Sequence, residues 1–130
     1  MVQPKTKTAI AIRMADTDDI PSLIRLGREM HQEAPTFNML DFDDQKVIAL
    51  INSPAMVEHG ASFIAEDDGE AIGMFCGVVV PHYFGHMLMA NDLCLFVTKS
   101  RRGGTAAYRL IKAFEAWALA HGAVSLRFGI

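Results

Sequence analysis

The spacing of apolar and polar residues changes several times along the chain, and each change predicts a new element. Residues 8–14 (TAIAIRM) are apolar and β-branched, which predicts a first strand. From Ile20 the apolar positions recur at steps of three and four, which predicts a helix that ends before Pro35. A second, shorter helix is expected from about Asp43, with its end near Ser53-Pro54.

The middle of the chain predicts a run of strands. Residues 61–66 and 71–80 are apolar and flank Asp67-Asp68-Gly69, and such a turn between two apolar runs predicts an antiparallel hairpin. The second of these strands is apolar at almost every position, so we expect it at the centre of a sheet, covered on both faces. A further strand is expected at residues 88–98, after an aromatic loop at residues 81–86.

A glycine turn and a third helix complete the pattern. Residues 99–104 (KSRRGG) lead into apolar positions spaced for one buried helix face. These positions are Ala107, Leu110, Ile111, Phe114, Trp117 and Ala118. Residues 124–128 alternate between apolar and polar side chains, which predicts a last strand. We expect the crossover from strand through helix to strand to be right-handed and to place its two strands parallel. The predicted order is β-α-α-β-β-β-α-β.

Composition narrows the class of protein. A length of 130 residues with 51% apolar and 21% charged side chains predicts one globular domain over residues 1–130. No apolar run approaches the roughly 20 residues of a spanning helix, and no signal segment is present, so neither a membrane partner nor secretion is expected. The net charge of −3 argues against a nucleic-acid partner. Cys76 and Cys94 lie in strand-like segments, so we expect reduced, buried thiols in a cytoplasmic protein. The sequence has no C-x-x-C pattern, so we expect no structural metal site.

The strongest chemical signal lies at residues 93–110, where a strand, two arginines, two glycines and a helix follow one another. Glycines let the backbone approach a phosphate, and the free N–H groups of the first helical turn face it. The segment therefore predicts a site for a diphosphate, although it has neither the P-loop nor the dinucleotide-binding pattern. A plain glycine turn before an amphipathic helix is the alternative.

Within this segment, Arg101-Arg102-Gly103-Gly104-Thr105-Ala106 matches the [RQ]-x-x-G-x-[GA] signature of the GNAT superfamily of N-acetyltransferases. The stretches IRMADTDDIPSLIRLGREMHQEAPTF, VVPHYF, NDLCLFV and RRGGTAAYRLIKAFEAWALAHGAVSLRFGI resemble a small bacterial and phage-type subgroup, so the likeness covers nearly the whole chain. The resemblance implies an α/β (α+β) fold with a central mixed, mostly antiparallel sheet flanked by helices. It also implies direct transfer of an acetyl group from acetyl-CoA, as co-substrate, to a primary amine, with no metal.

The resemblance further implies where acetyl-CoA binds. In that family the glycine turn wraps the pyrophosphate, and the preceding strand binds the pantetheine arm and splays from its parallel neighbour to admit the thioester. A backbone N–H near Phe96 or Val97 would stabilise the oxyanion. The implied cofactor-binding residues are Leu95, Phe96, Val97, Arg101, Arg102, Gly103, Gly104, Thr105, Ala106 and Ala107.

Transfer to an amine requires a base, because an alkylamine with a pKa of about 10.4 attacks only when neutral. Asp92, before the expected CoA loop, is the candidate base; the alternative is that it caps a strand or binds a backbone amide. His82 and Tyr83 are expected to shape the acceptor site, with Tyr83 also a candidate to relay protons, against simple loop packing. His31 and Glu33, at the end of the first helix, are candidates to attract a cationic amine.

One departure from the family concerns the C-terminus. Members commonly continue past the strand at residues 124–128 into a helix and two strands, and the helix supplies a tyrosine that protonates the leaving thiolate, whereas this sequence ends at Ile130. We therefore expect a C-terminally short domain, which is a fragment, a naturally shortened member, or a chain whose missing edge another chain supplies. Its last strand would have an unpaired edge, which favours pairing with a second molecule, as in a homodimer, or aggregation. The acceptor is expected to be a small-molecule or protein amine. A non-catalytic shortened scaffold that acts as a protein-binding module is the alternative function.

Overall fold

Five strands form one sheet in the computed structural model, which describes residues 9–36 and 38–129. The order across the sheet is β1-β2-β3-β4-β5. The strands are β1 (Ile10–Met14), β2 (Gly60–Asp67), β3 (Glu70–Pro81), β4 (Leu88–Val97) and β5 (Ala123–Arg127). Neighbouring strands are antiparallel except β4 and β5, which are parallel. The mixed, mostly antiparallel sheet is confirmed, and so is the central position of β3; Thr8 of the predicted first strand lies outside the described residues.

Four α-helices flank the sheet: α1 (Ile20–Glu33), α2 (Asp44–Ile51), α3 (Pro54–His59) and α4 (Ala106–Ala120). Within the described part of the chain, none of them is long and apolar enough to cross a membrane. The helix α3 was not predicted, because Ser53-Pro54 was interpreted only as a helix end. In the structure Ser53 caps α3, with its Oγ accepting from the N–H of Met56 at 3.4 Å. Proline is also favourable in a first helical turn, where its missing N–H costs nothing.

Two hydrophobic cores lie on opposite faces of the sheet. On one face Leu110 and Phe114 of α4 pack against Phe75 of β3, and all three side chains are fully buried. On the other face Leu26 of α1 packs in the second buried cluster, which also contains Ile64. Because both faces of β3 are covered, its nearly continuous apolar sequence is explained by burial rather than by alternation. Trp117 and Met30, which the spacing also assigned to the core, are only partly buried.

Only the N-terminal part of β4 is paired with β5. Pairing between β4 and β5 runs only from Leu88 with Ala123 to Asn91 with Arg127. The remainder of β4 has no partner on that side among the described residues. A β-bulge lies at the same place, because Cys76 pairs with Cys94 and Gly77 with Asp92, which leaves Leu93 as the extra residue on β4. Because β5 ends at Arg127, the edge of β4 beyond the bulge is open among the described residues, and we call the space beside it the gap. That β4 splays from its parallel neighbour, as the resemblance implies, stays a prediction.

Candidate active site

The turn between β4 and α4 presents backbone N–H groups at the end of this gap. Gly103 has φ +92°, a conformation that glycine adopts without strain, and it has open space around it, whereas a Cβ at Gly104 would lie 3.9 Å from the carbonyl oxygen of Arg101. Thr105, the N-cap residue of α4, makes no side-chain capping hydrogen bond within the described structure. The first N–H groups of α4 have no partner inside the helix, and the helix dipole makes this end positive. The turn and the first helical turn can therefore bind an anion through the backbone.

Both arginines of the signature contact protein groups instead of extending into solvent. The guanidinium of Arg101 forms an ion pair with Asp67, at the end of β2. Arg102 donates from Nε to the carbonyl oxygen of Val97 at 2.8 Å and pairs with Glu33 at 2.8 Å. These contacts fix the turn against β2, β4 and the end of α1. Any anion site here consequently rests first on the backbone, and Glu33, a candidate acceptor residue, is already engaged by a cation.

Three predicted cofactor-binding residues lie along the gap on β4. Phe96 and Val97 are buried on opposite faces of the sheet, and Leu95 is partly buried against the α4 core. In a strand, the backbone N–H and C=O groups of every second residue point to the same side. On this part of β4, half of these groups therefore point away from β3 and toward the gap. The strand can thus offer main-chain hydrogen bonds to an extended ligand beside it.

Asp92 is the first residue of β4 beyond its pairing with β5. Its Oδ1 accepts a hydrogen bond from the backbone N–H of Gly129 at 2.8 Å, just beyond the end of β5. Among the described residues this is the hydrogen-bond partner of the carboxylate, and no cation lies within ion-pair distance of it. The observed contact is the one expected from the alternative interpretation of Asp92 as an amide-binding residue. It leaves Oδ2 without a protein partner in the described structure.

A cavity of about 300 Å³ lies between the sheet and helices α1 to α3; we call it the α1–β4 cavity. Its lining comes from six elements and one loop: Leu23, Gly27, Met30 and His31 of α1, Phe42 of the loop before α2, Val47, Leu50 and Ile51 of α2, Met56 of α3, Ser62 of β2, Met74 and Cys76 of β3, and Leu93 and Cys94 of β4. None of these described lining residues is Asp, Glu, Lys or Arg. Leu93, the bulge residue that lines the cavity, directly follows Asp92 in the sequence.

Of the four candidate acceptor residues, only His31 lines this cavity. Its ring meets the ring of Phe42 edge-on, with 5.4 Å between centroids. Its Nε2 atom is buried and makes no hydrogen bond to any described residue. A buried polar atom without a partner is unfavourable, which makes this nitrogen available to a ligand that reaches it.

His82 and Tyr83 occupy the exposed loop between β3 and β4. Their rings stack at 4.6 Å, and Tyr83 also packs on Phe84 at 4.4 Å. The loop lies at the N-terminal end of β4, whereas the glycine turn follows its C-terminal end. The structure therefore does not bring His82 or Tyr83 to the lining of the α1–β4 cavity, and their roles at an acceptor site stay predictions.

Two thiols form part of the cavity wall. Cys76 and Cys94 are cross-strand partners and both are free, and Ser62 Oγ lies 3.2 Å from Cys76 Sγ. The hydrogen bond from Cys94 lowers the pKa of Cys76, and the hydrogen bond to Cys76 together with burial raises the pKa of Cys94. Within the described residues, no group of three or more His, Cys, Asp or Glu side chains is arranged to hold a metal ion.

Sequence reasoning missed this cavity. Its residues come from distant parts of the chain, and no local pattern joins them. Met30, Met56 and Met74 line the cavity, and Met74 is also part of the buried cluster that contains Leu26. Flexible thioether side chains are suited to irregular apolar surfaces of this kind.

Comparison with protein families gives one match: the family model described as acetyltransferase (GNAT) family matches residues 20–128. The matched region extends from the start of α1 to the residue after β5 and includes the glycine turn. A comparison with curated protein sequences found no match.

Solved structures with the same fold are acetyltransferases of low sequence identity. The complex of AAC(6')-Iy with the bisubstrate analog CoA-S-monomethyl-acetylneamine has 22% identity and a TM-score of 0.78, over 95% of this chain and 80% of that one. A ribosomal-protein-alanine N-acetyltransferase from Brucella melitensis biovar Abortus 2308 has 18% identity and a TM-score of 0.75, over 92% and 79%. An aminoglycoside acetyltransferase from an uncultured soil metagenomic sample, in complex with sisomicin, has 19% identity and a TM-score of 0.73, over 93% and 77%.

Proposed function

This chain belongs to the acetyltransferase (GNAT) family, and we propose that it transfers an acetyl group from acetyl-CoA directly to a primary amine. The amine nitrogen attacks the thioester carbonyl, so that a C–N bond forms and the C–S bond breaks. The proton lost by the attacking amine passes to the protein or to water, and CoA leaves as the thiol after taking up a proton. The chain's part is to bind the two substrates together and to accept the amine proton.

The observation that carries the proposal is the open edge of β4 beyond its pairing with β5, with the N-terminus of α4 at its end. Backbone N–H groups of the turn at Gly103 and Gly104 and of the first turn of α4 would hold the diphosphate. Outward-pointing backbone groups of β4 would pair with the amide-rich arm of CoA, and an N–H near Phe96 or Val97 would face the thioester oxygen. The structure of AAC(6')-Iy bound to a CoA bisubstrate analog supports the same class of co-substrate.

A charge substitution at the turn tests this site. A Cβ at Gly104 would lie 3.9 Å from the carbonyl oxygen of Arg101, which is ordinary contact, so Gly104→Asp is sterically tolerated. Its carboxylate would occupy the proposed diphosphate position, while its proximity to the α4 N-terminus is favourable for the fold. We expect acetyl-CoA affinity, measured by calorimetry, to fall about tenfold or more relative to the neutral isostere Gly104→Asn. Equal affinity in both variants would contradict the site.

We propose that Asp92 is the base that receives the amine proton. Its Oδ1 is held by the N–H of Gly129, which orients the carboxylate, and its Oδ2 has no partner among the described residues. Asp92→Asn preserves the shape but not the basicity. It is expected to lower kcat by about 10²-fold or more, with acetyl-CoA affinity unchanged. If kcat is unchanged, Asp92 is only a structural link between β4 and the end of β5.

A protein-binding module without catalysis is the second candidate function. It is favoured by the exposed apolar side chains of Tyr83, Phe84 and Met87 in the loop between β3 and β4, which bury little against this chain. It is also favoured by the engagement of Arg101 and Arg102 with carboxylates of the protein. Absence of acetyl-CoA binding by the folded chain would favour this candidate.

We further propose a homodimer formed through β5, and a cytoplasmic location. β5 is an edge strand of the described sheet, and Val124 on it is exposed. An exposed edge can pair with a second strand. Sedimentation of Val124→Lys, which places a charge on the exposed part of that edge strand, is expected to show a monomer where the unsubstituted chain shows a dimer. The free thiols of Cys76 and Cys94 suit a reducing compartment.

A further inference from the structure

We propose that the amine acceptor carries an apolar group, an aromatic ring or a short branched alkyl chain, and that this group occupies the α1–β4 cavity. The inference rests on the proposed acetyl transfer and specifies its acceptor. The amine nitrogen would lie at the bulge of β4, and the apolar group would extend from there beneath α1 and α2.

The chemistry of the cavity wall carries the first step. The described lining residues are Leu, Ile, Val, Met and Phe side chains together with one glycine, one serine, two cysteines and His31. No carboxylate among them is available to balance a cation. Burying a second ammonium group there would remove its water without supplying a counter-charge, which is strongly unfavourable. An apolar group is stabilised in the same space because its surface leaves water.

The acidic residues around the first helix provide the second step. Glu29 is paired with Arg25 at 3.4 Å and accepts from Thr98 Oγ1 at 2.9 Å. Glu33 is paired with Arg102, and Asp44 is paired with Arg28. These three carboxylates have cationic partners, whereas Asp41, which precedes the lining residue Phe42, has no ion pair within the described residues. Most of the acidic surface that a polyamine or an aminosugar would require is thus neutralised on this side of the molecule.

Position and size provide the third step. The cavity reaches β4 at its bulge, where Leu93 and Cys94 line it, beside the edge of β4 that has no strand partner among the described residues. Asp92 pairs with Gly77, whose Cβ would meet Phe114, so the Asp92 side chain lies on the α4 side of the sheet. An amine at the edge of β4 would therefore lie between Asp92 and the cavity. The volume of about 300 Å³ is at the lower end of the range for small-molecule sites. It suits one ring or a short branched chain rather than several linked rings.

An acceptor comparison tests the inference with a matched pair of variants. Leu50 of α2 lines the cavity and is 61% exposed, so Leu50→Trp adds bulk at the opening without disturbing a buried core. The neighbouring Ala49 is exposed and does not line the cavity, so Ala49→Trp is the control. N-acetylated product is quantified by mass spectrometry with 2-phenylethylamine and with spermidine as acceptors.

We expect kcat/KM to be about tenfold or more higher for 2-phenylethylamine than for spermidine. Leu50→Trp should lower the value for 2-phenylethylamine about fivefold or more, with Ala49→Trp unchanged. A preference for spermidine, or equal effects of the two substitutions, overturns the inference. So does faster transfer from hexanoyl-CoA than from acetyl-CoA that Leu50→Trp abolishes, because the cavity would then hold the acyl chain.

A second readout does not depend on catalysis. Cys76 and Cys94 lie in the cavity wall, so a ligand in the cavity should slow their alkylation by N-ethylmaleimide in the absence of acetyl-CoA. We expect 2-phenylethylamine to protect the thiols and spermidine at equal concentration not to, with protection lost in Leu50→Trp. Protection without acetyl transfer would support the cavity and contradict the proposed function. Transfer to 2-phenylethylamine without protection would support the function and overturn the cavity assignment.

Discussion

Arg101, the first residue of the signature, is ion-paired with Asp67, which is only 7% exposed at the end of β2. The pair joins the turn before α4 to the hairpin between β2 and β3, 34 residues earlier in the chain. An arginine that the sequence assigned to phosphate binding therefore also stabilises the loop on which the backbone site depends.

Removal of this arginine should cost stability. In Arg101→Ala the nearly buried carboxylate of Asp67 loses its guanidinium partner, and we expect the free energy of unfolding to fall by about 1–3 kcal/mol. Arg102→Ala is the control, because its pair with Glu33 is exposed and should contribute less than about 1 kcal/mol. Urea denaturation of the three proteins measures the difference. Equal losses would mean that burial of Asp67 is unimportant.

Stability should also depend on Asp19 in acid. Its carboxylate accepts two hydrogen bonds from Arg13 at 2.8 Å and one from the N–H of Asp16, and these contacts, against an opposing effect of burial, lower its pKa from 3.8 to about 2. A carboxylate whose pKa is lowered by folding stabilises the fold above its unfolded pKa. That contribution is lost as the pH falls through 3.8 toward 2, because the proton binds the unfolded chain first.

The measurement is the free energy of unfolding of Asp19→Asn between pH 7 and pH 3. Because Arg13 is 40% exposed and the pair is partly screened, we expect a deficit of about 1–2 kcal/mol at pH 7. The deficit should shrink toward pH 3, because Asp19 of the unfolded, unsubstituted chain takes up its proton below pH 3.8. Asp18→Asn, at an exposed neighbouring residue, should show no deficit of unfolding free energy that changes with pH. A deficit that stays constant with pH would exclude this linkage.

Gly77 allows α4 to approach the sheet. A Cβ at this position would overlap the ring of Phe114 and lie 2.8 Å from the carbonyl oxygen of Asn91. We expect Gly77→Ala to destabilise the protein by about 1–3 kcal/mol, because both neighbours are fixed in the core. Gly85→Ala, where nothing lies within 4 Å of the added atom, should change stability by less than about 0.5 kcal/mol. Thermal unfolding of both variants and of the unsubstituted chain measures the two losses of stability.

The two cavity thiols should differ in reactivity. The hydrogen bond from Cys94 lowers the pKa of Cys76, so removal of this donor in Cys94→Ala should raise that pKa. The rate of Cys76 alkylation, followed by mass spectrometry from pH 6 to pH 10, is then expected to shift to higher pH than in the unsubstituted chain. Ser62→Ala removes the weaker donor and should give a smaller shift in the same direction. An unchanged profile in Cys94→Ala would show that the thiols do not interact.

The sequence by itself determined the elements and the family. Helix α1, helix α4 and the hairpin of β2 and β3 are encoded by local periodicity and by local turn chemistry, so they were predicted close to their observed ends. The signature from Arg101 to Ala106 is likewise contiguous, and it located the turn before α4. The short helix α3 was missed, because Ser53-Pro54 is compatible with a helix end as well as with a helix start.

Only the tertiary structure decided the contents of the site. The pairs of Arg101 with Asp67 and of Arg102 with Glu33 join residues 34 and 69 positions apart, and no local pattern predicts such partners. The gap beside β4 depends on where two strands stop pairing, and the α1–β4 cavity is a space enclosed by six elements and one loop. Periodicity reports which face of an element is apolar. Whether two apolar faces meet in close packing or leave a cavity between them is fixed only when the elements are packed together.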